Sequence, residues 1–212
     1  MFDLDPLRIL LTTPGILIGL AMHEFAHAYA ADRLGDPTPR SQGRLTLSPL
    51  PHIDILGFIL IMLVGFGWAK PVQINPRNLK HPRRDDILIS IAGPFTNLLL
   101  ALVFALIYKF FLVYSANYTV SEKIFNNVSL LLFYTIRINV VLSIFNLLPV
   151  PPLDGFHILA NVIPATSYHI IDTLERYGSI ILLILIVANI TSYILSPIVM
   201  LILNIIIAFL RL

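Results

Sequence analysis

The stretch "GLAMHEFAHAYAADRLG", residues 19–35, sets His23, Glu24 and His27 inside an apolar run. On a helix, His23 and His27 are four residues apart and share one face. Two imidazoles so placed can both reach a zinc ion at about 2.0–2.1 Å. Glu24 points about 100° around the helix from His23. It therefore suits accepting a proton from metal-activated water better than direct ligation. On a soluble amphipathic helix such a His-Glu-x-x-His pattern can be coincidence. Deep in a bilayer each ionisable group costs on the order of 3 kcal/mol, and three together mark a site.

A catalytic zinc takes three protein ligands and keeps a fourth position open, so a second segment must contribute. The candidate donor is Asp154 in "NLLPVPPLDG", residues 146–155. Pro149, Pro151 and Pro152 forbid a regular helix there, and Gly155 permits a sharp turn after the acid. A plainer alternative is an ordinary helix exit, with Asp154 capping the next helix. The chain contains no cysteine, which excludes disulfides, thiolate zinc sites and a cysteine nucleophile.

The elements that carry these residues belong to a membrane. Of 212 residues, 57% are hydrophobic and 12% charged, against about 25% charged in soluble domains. No polar stretch is long enough to enclose a separate soluble domain, and a formal net charge of +2 gives no reason to expect nucleic acid. Spanning helices need about 20 largely apolar residues. Segments 7–31, 87–108 and 128–148 qualify, and 177–212 forms one helix with a short second or two tight spans. Segment 53–67, with Gly57, Gly65 and Gly67, is short for a span and reads as a thin helix or a re-entrant hairpin. Its flanks "GRLTLSP" and "AKPVQINP" alternate and end in prolines, a pattern of short strands. The expected fold is an all-α polytopic membrane protein. It has about five to six transmembrane helices and a short re-entrant or β-containing segment near the active site.

Basic residues orient such a chain. Lys70, Arg77, Lys80, Arg83 and Arg84 cluster in one loop, expected in the cytoplasm, and Arg33, Arg40 and Arg44 crowd the end of the first helix. If both clusters face the cytoplasm, segment 53–67 returns to the side it left. The N-terminal stretch carries two acids and lacks a basic region and cleavage site, so it reads as an uncleaved first helix.

"HEFAH" in the first apolar segment, "AGPFTN" in a later span and "NLLPVPPLDG" further on resemble the site-two protease family of intramembrane zinc metalloproteases. The similarity covers roughly residues 10–160, in the family's order. It implies that His23, His27 and Asp154 ligate one catalytic zinc ion and that Glu24 is the catalytic base. It also implies that Asn146 lies beside the metal, holding substrate backbone or the oxyanion. No PDZ or regulatory domain is visible, which resembles the family's compact form. The whole chain, 1–212, then reads as a single transmembrane zinc metalloprotease domain with a C-terminal helical hairpin at about 175–212. Its expected partners are a transmembrane protein substrate and the lipid bilayer, with self-association into a homo-oligomer left open. Its expected place is the plasma or inner membrane, with the active site towards the cytoplasm. Among the remaining polar residues, Asn97 is read chiefly as helix packing, with ligand orientation as the alternative. His52 and His157 are read as capping chain ends, with a second metal or a gate as the alternative. Two other functions use the same residues: a divalent-metal transporter with a midplane His/His/Asp site, and a non-catalytic relative that binds membrane segments.

Overall fold

The computed structural model describes residues 6–64, 67–164 and 168–210. The acidic N-terminal residues, Gly65 and the last two positions of segment 177–212 lie outside the described residues. In chain order the helices are α1 (Pro6–Leu34), α2 (Thr38–Ser41), α3 (Ile55–Val64), α4 (Pro82–Asn117), α5 (Glu122–Asn146), α6 (Asp154–Val162), α7 (Tyr168–Val187) and α8 (Ile190–Leu210). Single 3-10 turns occupy Leu50–His52 and Pro76–Asn78.

Local chemistry sets the ends. Pro6 and Pro82 open α1 and α4, where a missing N–H costs nothing. Asp85 in the first turn of α4 accepts from the His81 amide at 2.9 Å, in the manner of a capping box. Gly35 follows α1 with φ +111°, a conformation that side chains resist and that ends a helix.

Four of these helices, α1, α4, α5 and α8, are long and apolar enough to cross a membrane, fewer than the five to six expected. The ten residues of α3 extend only about 15 Å, half of a hydrocarbon core of about 30 Å. The 20 residues of α7 include Asp172, Glu175 and Arg176, which dilute its apolar character. The all-α, multi-pass membrane class holds.

The helices α1, α4 and α5 pack together, α6 lies against α4, and α8 packs on α5, α4 and α7. Close approach of α1 to α5 depends on glycine. A Cβ at Gly15 would fall 2.9 Å from the Thr135 backbone, and one at Gly19 2.8 Å from the Leu142 side chain. Ala101, Ala105, Ile136, Val140, Leu195 and Val199 form a buried cluster between α4, α5 and α8. Leu99, Val103, Leu106 and Phe110 of α4 stay exposed, an arrangement that lipid, not water, solvates.

The chain on either side of α3 closes into a hairpin. Ile53 and Ala69 form an antiparallel bridge, and the Lys70 amide donates to His52 O at 2.9 Å, so both stems of the hairpin stand side by side. The expected short strands reduce to this one isolated bridge among the described residues, because the flanks find no longer partner edge.

Candidate active site

Helix α1 carries His23, Glu24 and His27 into the packed interior, 5%, 8% and 7% exposed. The two rings meet edge to face with centroids 4.6 Å apart, and their Nε2 atoms are separated by 3.0 Å. Each ring is held from behind. His23 Nδ1 lies 2.7 Å from Asn97 Oδ1 on α4, and His27 Nδ1 lies 2.7 Å from Ile89 O on the same helix. Both neighbours are acceptors, so the Nδ1 atoms carry the protons and both Nε2 lone pairs point forward. Asn97 is itself locked, its amide nitrogen donating to Gly19 O and Asn139 Oδ1 at 3.0 Å each.

Helix α4 can come this close because of Gly93. A Cβ there would lie 2.7 Å from His23 Nε2 and nearer still to His27 Nε2.

The proline-rich turn after α5 delivers Asp154 to the same place. Its carboxylate lies 3.2 Å from His23 Nε2 through Oδ2 and 3.4 Å from His27 Nε2 through Oδ1. Gly155 allows the fold-back, since a Cβ there would run into the Leu147 carbonyl. All candidate donor atoms of His23, His27 and Asp154 fall within 4.8 Å of one another. Four donors around an ion at about 2.0–2.1 Å stand about 3.3 Å apart along each tetrahedral edge. The imidazole nitrogens stand 3.0 Å apart and each lies 3.2 or 3.4 Å from a different oxygen of Asp154, separations near that spacing. Asp154 Oδ2 is buried with no hydrogen-bond partner, as expected of an atom whose partner is a cation. The residues present fit a zinc-type ion.

Comparison with known proteins supplies a family. The description "Peptidase family M50" matches residues 12–189. The chain belongs to peptidase family M50. This is the site-two protease family that the sequence motifs resemble. Among M50 relatives, the proposed zinc metalloprotease YwhC of Bacillus subtilis is 42% identical over 86% of this chain and 82% of its own length. The proposed zinc metalloprotease Rip2 of Mycolicibacterium smegmatis is 28% identical over 84% of this chain and 67% of its own. That of Methanocaldococcus jannaschii, MJ0611, is 30% identical over 66% and 64%. No solved structure gives a significant match.

In this M50 chain the Glu24 carboxylate, beside His23 in sequence, meets the chain that follows α3. Its Oε2 accepts from the Val72 amide at 2.9 Å and lies 3.6 Å from Arg44 Nη2. Asn146, at the end of α5, donates to Leu142 O one turn back at 2.9 Å. Asn97 stands behind His23, with Oδ1 against its Nδ1 and its amide nitrogen bonded to α1 and α5. His52 is fully buried and bonds Thr46 O through Nε2 at 2.9 Å. Burial pushes its pKa down, and it stands with the hairpin stem, apart from the cluster. His157 is exposed on α6, with Nδ1 3.8 Å from Asp86 Oδ2, and joins no metal group.

Two residues at this site escaped the sequence reading. Asn139 interrupts an apolar span, and a polar residue at membrane depth is itself a signal. Arg44 carried no local signal, being one arginine among several in a polar loop.

Proposed function

We propose that this chain is an intramembrane zinc metalloprotease that hydrolyses peptide bonds within or near transmembrane segments of membrane proteins. The single observation that carries the reading is the convergence of His23, His27 and Asp154, two buried imidazoles and a half-buried carboxylate grouped closely enough to ligate one ion. His23, His27 and Asp154 would hold the zinc, which would supply Lewis-acid activation of water and of a peptide carbonyl. Glu24, one residue from His23, accepts a proton from water and returns it to the leaving amine nitrogen. Asn146 offers its amide to the carbonyl oxygen as charge develops there, after releasing Leu142 O.

A substrate helix hides its carbonyls in internal hydrogen bonds, so it must unwind before cleavage. The non-helical segment 69–75, whose Val72 amide already reaches Glu24, supplies an edge along which unwound backbone can lie by strand addition. The exposed Lys70, Arg77, Lys80 and Arg84 support a cytoplasmic position for this end under the positive-inside rule, in the reading that the membrane is the plasma or inner membrane.

The test compares wild type with Glu24→Gln in detergent, against a double-tagged single-span substrate weakened by a central Asn-Pro pair. Wild type is expected to cleave in a zinc-dependent manner, while Glu24→Gln keeps its zinc and loses cleavage. A transporter needs no general base, so zinc flux undiminished in Glu24→Gln, without cleavage by wild type, overturns the proposal.

A further inference from the structure

Arg44 is 4% exposed, and a buried guanidinium needs partners for its charge and donors; both Nη atoms have them, while Nε has none among the described residues. Three partners meet it, from three parts of the chain. Nη1 donates to Pro51 O at 2.7 Å, Nη2 donates to Lys70 O, and Nη2 stands 3.6 Å from Glu24 Oε2. Pro51 and Lys70 flank the stems of the hairpin around α3, next to the His52–Lys70 bond and the Ile53–Ala69 bridge. One planar fork therefore spans both stems and faces the carboxylate on α1. Two residues beyond Lys70, the Val72 amide binds that same Oε2. The described partners of Glu24 all meet Oε2 and none takes Oε1.

We infer that Arg44 is a positioning residue for Glu24, clamping the hairpin stems and holding the carboxylate by Oε2 so that Oε1 is presented to the reacting groups. The inference rests on the reading of Glu24 as the group that moves the proton. It has a further consequence: the edge segment 69–72 and the carboxylate are held by one side chain, so they keep a common register. Lysine cannot reproduce the role, because a single ammonium lacks the fork that reaches both carbonyls and the carboxylate at once.

The test uses the full chain in detergent, the same tagged substrate, and zinc counted per chain. Arg44→Lys is expected to lower kcat about 10-fold and Arg44→Met about 100-fold, with KM within about twofold, as for a lost transition-state interaction. Zinc stoichiometry stays at the wild-type value in both. If Arg44→Met fails to fold, Arg44→Lys decides the matter. Wild-type kcat in folded Arg44→Lys, a rise in KM alone, or loss of zinc overturns the inference. Glu24→Gln cleaving at the wild-type rate sinks the reading of Glu24 itself, a separate outcome.

Discussion

Asn97 Oδ1 lies 2.7 Å from His23 Nδ1, a contact between α4 and α1 that fixes the tautomer of an imidazole whose other nitrogen faces Asp154. Partners of this kind, one step behind a ligand, set ring orientation and basicity.

Removing that acceptor should therefore be felt at the metal. Asn97→Leu is expected to weaken zinc binding by about 10–100-fold, measured by competition with a chelator of known affinity. Asn97→Asp keeps the acceptor and should retain more affinity than the leucine variant. Equal affinity in wild type and Asn97→Leu would remove the orienting role.

Gly93 gives a steric test of the same neighbourhood. Gly93→Ala places a methyl against both imidazoles, and overpacking of this kind costs about 1–3 kcal/mol. Thermal unfolding should shift down and zinc occupancy should fall together. A variant with unchanged Tm and full zinc would mean that α4 can withdraw freely.

The hairpin can be tested by chemistry, since the chain has no native cysteine. Cysteines introduced singly at Leu50 and Trp68, both exposed, should react with a membrane-impermeant maleimide from one and the same side. Labelling from opposite sides would show that segment 53–67 crosses the bilayer.

Strand addition predicts that the backbone of the edge matters more than its side chains. Gln73→Pro removes an amide from the exposed edge and should lower cleavage about 10-fold or more while zinc remains bound. Gln73→Ala should cleave as wild type. Equal turnover in both would discard the edge as the substrate's seat.

The joint between α1 and the 75–78 turn carries a pH dependence. Asp36 is fully buried and accepts from the Thr38 hydroxyl at 2.6 Å, and from the Asn78 amide and the Asn75 backbone at 2.7 Å each. Burial opposes its charge, yet these bonds prevail and hold the carboxyl below the usual range. A carboxyl lowered in the fold takes its proton first in the unfolded chain, so its stabilisation is complete above about pH 4. That stabilisation is lost as pH falls through the lower folded value. Asp36→Asn, which trades an acceptor for a donor facing the Asn75 amide, should flatten the acid side of a Tm-versus-pH curve. It should also cost about 1–3 kcal/mol at neutral pH; an unchanged profile would refute the assignment.

Much of the molecule follows from local order along the chain. The four-residue interval puts His23 and His27 on one face of any helix, and apolar runs of spanning length mark α1, α4 and α5 without reference to one another. The prolines before Asp154 break the helix wherever the loop is docked. Helix count was harder to read, because the charges of α7 and the brevity of α3 weaken a signal that rests on length and hydropathy alone.

What the tertiary structure decided is who meets whom. Asn97 is 74 residues from His23, and Val72 is 48 from Glu24. Arg44 finds its partners only after the hairpin closes. None of these pairings leaves a periodic trace, since each depends on helices packing at glycines and on loops folding back across them. The chain's own pattern thus supplies the donors and the spans, while packing brings the carboxylate to the imidazoles and assigns the residues that hold them there.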